Sequence, residues 1–520
     1  MKDYVFGANI LENLTTGMYQ DSKVIYREYI QNACDQIDKA VADRLMKSGE
    51  GEIKIWLDSA KRNISVEDNA TGIRAAEFQR LLGNIADSDK KIGEDKGFRG
   101  IGRLCGLAYC NKLVFTSKAP GENIVSIMVC DAIKMRALIL ENEHGKKHTA
   151  SEVLNSIYSF DYKKTSDING HWFKVEMLGI NEENIDLLDF SKIKEYLSFV
   201  APVPYQNTFI FRTEVYNHAK QLKCKIDEYK ILLNGETILK KYNTNFKTSQ
   251  GDDEIFNIAF KEIFDKQNNL LAWLWIGVSH FQAVINKSCP MRGLRLRKEN
   301  IQIGNDDALQ KLFKEDRGHH YFVGEVFALA KDLIPNSQRD YFNENSTRLV
   351  FEQELRKYFN DELHRTYYDG SELHSAYKKI DDLKVKEAEF QKKEQNGEFV
   401  NEEHLKAAID KVEKARIEAE KAQVKIENKK KKANEESNAI VSLVIKHIEK
   451  EREHKLKPVT RKHILKTVKD EKYLTHRVNK LTSYTKKEQK LISKIWGIIL
   501  HATDEKTAET IIKKIEDELR

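Results

Sequence analysis

Arg27-Glu28-Tyr29-Ile30-Gln31-Asn32-Ala33-Cys34-Asp35-Gln36-Ile37-Asp38-Lys39-Ala40 is the stretch that decides the fold. It holds no Gly or Pro, and its apolar residues recur at helical spacing, so the pattern predicts a helix. Glu28, Asn32 and Asp35 stand at i, i+4 and i+7 and share one helical face. Ile30, Ala33, Ile37 and Ala40 lie close to that face. A carboxylate on a half-buried helix costs free energy unless it has a partner. The face therefore needs either solvent or a ligand, and the motifs that follow it along the chain decide which.

The second motif is Glu67-Asp68-Asn69-Ala70-Thr71-Gly72-Ile73, directly after a predicted strand. Taken alone it reads as a turn. An acid that ends a strand before a Gly turn also places a carboxylate over a pocket, where it can accept an exocyclic amine such as that of adenine. The third motif is Lys96-Gly97-Phe98-Arg99-Gly100-Ile101-Gly102-Arg103, opening the apolar segment Leu104 to Tyr109. Its three glycines let the backbone approach phosphates and aim N–H groups at them from a helix N-terminus. Each motif is weak singly; in this order they supply the parts of one nucleotide site.

Outward from these motifs the chain divides into four regions. Residues 1–180 mix helix and strand: helices over Ala8 to Met18 and Val24 to Lys47, and paired strands over Glu52 to Leu57 and Asn63 to Glu67. Further strands are expected over Lys112 to Ser117, Asn123 to Val129, Met135 to Leu140 and Trp172 to Met177. The fold class is α+β, with helices on one face of a mostly antiparallel sheet. Residues 181–345 read as a second α/β domain. Its strand-like segments are Phe209 to Phe211, Tyr229 to Leu233, Glu236 to Leu239 and Leu271 to Val278, and Asn234-Gly235 is a hairpin turn. Residues 346–435 read as a helical hairpin, partly coiled coil, broken at Gly397 and restarted by an Asn401 cap. Its apolar stripe is Leu405, Ile409, Val412, Ala419 and Ile426. The Lys429 to Lys432 run is expected as a solvated arm. Residues 437–520 read as a compact helical domain, with Thr485-x-x-Glu488 as a capping box before Leu491, Ile492, Ile495, Trp496 and Ile499.

At 520 residues, with 40% hydrophobic and 32% charged residues, the chain is globular with long solvated helices. A net charge of +6 gives no overall case for nucleic acid. Six cysteines form no C-x-x-C pair, and no apolar run approaches the ~20 residues of a membrane span. A cytoplasmic protein with no membrane partner is expected.

The ordered motifs resemble the GHKL superfamily, whose members share a Bergerat-type ATP-binding sandwich; gyrase B, the ninety-kilodalton heat-shock chaperones, MutL, the MORC ATPases and histidine kinases belong to it. Leu82-Gly83-Asn84-Ile85-Ala86-Asp87-Ser88 resembles the chaperone pattern LGTIAKS. Leu333-Ile334-Pro335-Asn336-Ser337-Gln338-Arg339-Asp340 resembles the chaperone middle-domain segment that carries a phosphate-contacting Arg. The likeness spans roughly the first 345 residues.

The resemblance implies ATP and Mg²⁺ as cofactors and ATP hydrolysis as the activity. Glu28 would be the general base, Asn32 the Mg²⁺ ligand and Asp35 a support beside the nucleotide. Asp68 would bind adenine over Gly72. Gly97, Gly100 and Gly102, with Phe98, Arg99 and Ile101 between them, would cradle the phosphates, and Ser88 would join the nucleotide set. Residues from about Glu77 to Arg99 would form a lid. Arg339 would complete the site from the second domain; Arg103, Lys90, Lys91 and Lys96 are the other cations, and an ion pair with Asp340 or Glu344 is the plain reading of Arg339. Two departures stand out: Ala70 replaces a family Gly, and Gly170-His171 replaces a Gly-Thr whose hydroxyl lies near adenine.

The implied machine is a homodimer, closed by ATP, acting on a protein client. The alternatives are a MORC- or MutL-like ATPase on nucleic acid, including one in bacterial antiviral defence, and an ATP-regulated scaffold for a partner enzyme. The cluster Arg292, Arg295, Arg297 and Lys298 is the candidate basic groove for the nucleic-acid reading, with a strand whose charged ends snorkel to solvent as its plain alternative. The Leu491 to Ile499 helix is the candidate dimer seam.

Overall fold

The computed structural model describes residues 6–15, 21–85, 102–144, 146–396, 398–399, 402–435, 439–453 and 483–519. The chain divides into two compact units, residues 1–279 with 283–364, and residues 280–282 with 365–520. The architecture is α+β.

In the first unit, α1 (Asn9–Thr15) and α2 (Val24–Ala42) precede the hairpin β1 (Glu52–Asp58) and β2 (Asn63–Asp68). Then come α3 (Ala75–Gly83), a 3₁₀ turn at Gly102–Ala108, β3 (Cys110–Lys118) and β4 (Ile124–Asp131). Next are α4 (Ala132–Glu143), α5 (Ala150–Ile157), β5 (Tyr158–Lys164) and β6 (Trp172–Ile180). After α6 (Phe190–Val200) and α7 (Arg212–Gln221), β7 (Lys230–Leu233) and β8 (Glu236–Thr237) rejoin the same sheet. The strand order is β5-β4-β3-β6-β2-β1-β7-β8, antiparallel except for the β1–β7 pair. On β1, Ile53, Ile55 and Leu57 face the core, while Trp56 stays half exposed on the other face. Tyr29, Ile30, Ala33 and Ile37 of α2 join them in one core cluster. Each fully buried aliphatic side chain there contributes about 1.5–3 kcal/mol.

Several sequence expectations shift. The helix expected to run to Lys47 ends at Ala42, because Arg44 takes a left-handed φ of 60° and the Leu45 N–H returns to Ala40 O. Met135 to Leu140, expected as a strand, lies inside α4. Asp131 accepts the Lys134 N–H at 2.9 Å as a cap, and Ala132, Met135 and Ile139 are buried at helical spacing. Phe209 to Phe211, also expected as strand, is a turn that leads into α7. At Asn234-Gly235 the expected hairpin turn is present, with φ of 47° and 85°.

The rest of the first unit holds the pair β9 (Asn245–Thr248) and β10 (Gly251–Glu254) and a five-stranded sheet. That sheet comprises β11 (Asn257–Phe264), β12 (Leu270–Val278), β13 (Gly293–Lys298), β14 (Ile301–Gln302) and β15 (Val323–Ala328), in the order β11-β12-β15-β13-β14. The proposed basic groove does not form here. Arg297 is fully buried on β13 and donates to Glu325 of β15. Arg295 is buried over the Phe199 ring and donates to Gln302. Lys240, Tyr205 and Tyr242 also converge on Glu325. Burial pushes the Glu325 carboxyl up, but the adjacent Arg297 and Lys240 outweigh it and hold it well below the usual range.

In the second unit α9 (His364–Gln395) and α10 (Glu402–Glu435), which follow α8 (Ser346–Tyr358) of the first, run antiparallel. Arg416 pairs with Glu387 at one end and Lys429 with Asp369 and Glu372 at the other. Val412, Ala419 and Ile426 are buried as the stripe requires. Two residues of the lysine run are tied down, since Lys430 also pairs with Glu449, while Lys431 and Lys432 stay exposed as the solvated arm expects. Gly397 and Asn401 lie outside the described residues. Helices Lys486–Ala502 and Glu505–Glu518 close the unit. Glu488 accepts from the Thr485 N–H, as the capping box predicts. Trp496 packs with Ile512, leaving Leu491, Ile495 and Ile498 outward. Among the described residues, no helix is long and apolar enough to cross a membrane.

Candidate functional site

The core face of α2 fixes its rotation, and that rotation points Glu28 inward. Tyr26 donates to Leu187 O at 2.5 Å and Tyr29 to Arg103 O at 3.1 Å. Glu28 is only 6% exposed. Its carboxylate lies against Gly102, where a Cβ would stand 2.3 Å from Glu28 Oε2. Gly102, the last glycine of the third motif, is therefore small so that the acid can approach the backbone. The Gly106 N–H donates to Tyr29 Oη at 3.1 Å and clamps the 3₁₀ turn onto α2. Asn32 is half-buried one turn beyond Glu28, and Asp35 is buried one further turn on.

The second motif docks on the same helix. Thr71 Oγ1 donates to Gln36 Oε1 at 2.8 Å. Asp68, at the end of β2, is 5% exposed and accepts one backbone N–H, from Ala70, at 3.0 Å. Burial pushes its carboxyl up to about 7; the Ala70 N–H opposes this, and the charge of Glu67 adds to it. Gly72 has φ of +62°, and a Cβ there would stand 2.0 Å from Lys118 O, so no other residue fits this turn against β3. The two departures meet each other: His171 Nδ1 lies 2.6 Å from Ala70 O and donates to it. The side chain that replaces the hydroxyl thus braces the loop behind Asp68.

Arg339 reaches this site from 311 residues along the chain. It sits in a tight hairpin closed by the Pro335–Phe342 bridge, with its N–H donating to Asn336 O at 3.1 Å and a left-handed φ of 54°. Its Nε lies 2.9 Å from Glu28 Oε1, at ion-pair distance though outside hydrogen-bond alignment. The neighbouring residues make a second link, Arg27 donating to Gln338 O at 3.1 Å. Asp340, the plain partner weighed from sequence, instead accepts from Asn336. The structure thus brings Glu28, Gly102 and Arg339 together, with Asn32 and Asp35 on the same helix and Asp68 and Gly72 on the turn docked against it. Ser88, Gly97, Phe98, Arg99, Gly100 and Ile101 lie outside the described residues, as do Lys90, Lys91 and Lys96. Sequence reasoning missed Arg27, Tyr29 and Thr71. A buried tyrosine beside the acid was the available signal for Tyr29; the other two had none.

A helix bearing a buried acid, an aspartate at a strand end over a glycine turn, and a glycine backing the acid define a nucleotide-binding sandwich. Residues 21–159 match the family described as histidine kinase-, DNA gyrase B-, and HSP90-like ATPase, and this part of the chain is a GHKL-type domain. Among curated proteins the chain is similar to the chaperone protein HtpG of Escherichia coli, in strain K12, in O157:H7 and in O6:H1 strain CFT073. Each is 28% identical over 131 residues, covering 22% of this chain and 21% of the relative. The match spans about a fifth of the relatives' own length.

Proposed function

We propose that the chain is a Mg²⁺-dependent ATPase of the Hsp90-like kind, in which a second segment completes the site. The observation that carries this reading is the Glu28–Arg339 contact at 2.9 Å beside Gly102. Glu28 orients the attacking water and takes its proton. Arg339 stabilises charge on the transferring phosphoryl group, through a planar fork that a lysine lacks. Asp68 accepts the adenine amine, and Gly72 lets the backbone lie close to the base. Asn32 offers a hard amide oxygen on the Glu28 face, which fits Mg²⁺; the ion neutralises phosphate oxygens when bound. Asp35 supports the site from the same helix. Gly97, Gly100 and Gly102, with Phe98, Arg99 and Ile101, cradle the phosphates, Ser88 belongs to the nucleotide set, and the Glu77 to Arg99 segment acts as the lid.

The similarity to a chaperone protein supports a chaperone-like role, and a protein client, a homodimer and a cytoplasmic setting are proposed with it. The burial of Arg295 and Arg297 removes the basic surface on which the nucleic-acid reading rested. The test is Glu28→Ala. It should keep ATP binding in calorimetry while phosphate release falls by about 10²–10⁴-fold, the contribution of a positioned base. Wild-type turnover in that variant removes Glu28 as the base.

A further inference from the structure

We propose that Asp307, His319 and His320 form a binding site for one divalent transition metal of the zinc class. The three lie in the first unit, behind the five-stranded sheet, on the loop after β14 and in the short 3₁₀ turn Asp316–Tyr321. One donor atom from each falls within 4.8 Å of the other two. His320 Nε2 stands 3.5 Å from Asp307 Oδ1. Two atoms sharing an ion at ~2.1 Å in a tetrahedron are ~3.4 Å apart, so this pair is already spaced for one.

His319 is the second observation. Its ring is fully buried, and its Nδ1 meets no hydrogen-bond partner among the described residues. His320 Nε2 is buried without a hydrogen bond as well. A buried ring nitrogen left unmet costs free energy, and two side by side need a reason. His319 Nε2 accepts the Leu294 N–H at 2.9 Å and also lies 3.3 Å from the Leu294 carbonyl. An ion on Nδ1 requires the ring proton on Nε2, so binding exchanges the bond from the Leu294 N–H for one from Nε2–H to Leu294 O. Such an outer acceptor is the usual support of a metal-bound imidazole.

Gly293 has φ of +92°, and a Cβ there would come within 2.4 Å of His319 Cε1, so the glycine lets the ring pack directly on the backbone beside the carbonyl of Asp306. Asp307 and His320 are 43% and 19% exposed at their side chains, which gives an entry path and a place for water as fourth ligand. Two imidazoles and one carboxylate favour zinc and its neighbours over Mg²⁺ or Ca²⁺, which take oxygen ligands.

The site also backs the Arg339 hairpin. The Gly304 N–H donates to Arg339 O at 2.8 Å, and Asp307 follows in the same loop. An ion tying Asp307 to the 319–320 turn stiffens that loop. This consequence for turnover rests on the ATPase reading; zinc binding itself does not.

The experiment is calorimetry with Zn²⁺ alone, without nucleotide, on the full chain, with Mg²⁺ as the control ion. His320→Gln and Asp307→Asn are the variants, because both side chains reach the surface and folding can be checked by circular dichroism. A second trio, His280, His447 and Glu451, is a competing place for zinc, so His447→Gln is measured alongside. The wild type should bind one Zn²⁺ that the two site variants weaken at least tenfold and His447→Gln leaves in place. Hydrogen exchange at the Gly304 amide should slow with zinc in the wild type and not in His320→Gln. A wild type that takes no zinc, or site variants that bind as it does, overturns the site. Unchanged Gly304 exchange in the zinc-loaded wild type overturns the link to Arg339. ATP turnover measured without zinc reports on the ATPase reading separately.

Discussion

Asp68 should make nucleotide binding depend on pH around neutrality. Burial raises its carboxyl from the ordinary value of 3.8 to about 7. At about 1.4 kcal/mol per tenfold step, that displacement amounts to about 4 kcal/mol, an upper bound set by removing one charge from water. The sign follows directly. Between about pH 4 and 7 the folded chain holds a proton that the unfolded chain has lost, so stability falls as pH rises through that window. Adenine's amine is a donor and needs the ionised form. Below pH 7 each bound nucleotide must therefore expel a proton, and affinity should drop by about 20-fold between pH 7.5 and 5.5. Calorimetry with Mg·ADP at pH 6, in two buffers of different ionisation enthalpy, should count close to one proton released. Asp68→Asn should unfold at a higher temperature than the wild type at pH 8 and near it at about pH 4, while losing nucleotide binding. A proton count of zero with constant affinity across this range would refute the assignment of adenine to an ionised Asp68.

Gly102→Ala should leave thermal stability nearly unchanged yet cut ATP turnover by ~10²-fold in a phosphate-release assay. The atoms nearest the new Cβ all belong to the Glu28 side chain, which can turn away without the backbone shifting, and moving a base by about an ångström costs rate more than fold. Arg339→Gly should lower turnover at least ~10-fold with ATP affinity nearly unchanged. Glycine is chosen because φ of 54° strains an alanine there by about 1 kcal/mol; turnover equal to the wild type would mean that the ion pair is only structural.

How far the chain could be read from sequence depends on whether a signal was local. The α2 face, the β1–β2 hairpin, the Asn234-Gly235 turn and the Thr485/Glu488 cap rest on neighbours within a few residues, and all are present. Met135 to Leu140 was misread because a run of apolar residues fits strand and helix alike; the deciding feature was the Asp131 cap just outside the window. The aromatic triplet Phe209 to Phe211 has strand propensity, yet Phe209 packs against Tyr205 and Trp275 from a turn. Arg295 and Arg297 looked like a surface because their partners are remote or unremarkable in sequence. Glu325 lies 28 residues beyond Arg297, and nothing local foretells that the pair is buried. At the nucleotide site the acids and glycines were legible as motifs. Arg339 was legible as a contribution from the second domain only through the resemblance, and its direct contact with Glu28 was not, because that contact exists only once two distant segments dock.

That contact also bears on the proposed hydrolysis. Arg339 Nε lies 2.9 Å from Glu28 Oε1, so if Glu28 is the base the pair has to part before its carboxylate can orient a water. Removing one partner of a buried pair costs about 3–5 kcal/mol, because the other charge is stranded. The guanidinium therefore leaves Glu28 only when other negative charge is offered at the same place. On the proposed ATPase reading a γ-phosphate would offer it: the arginine would turn to phosphate oxygens and Glu28 would be left to orient water. ADP lacks that group and should leave the pair intact. The strained backbone at Arg339 holds the hairpin tip toward Glu28, and Arg27 on Gln338 O anchors it. The exchange then needs only the side chain to swing, with the hairpin and α2 staying docked.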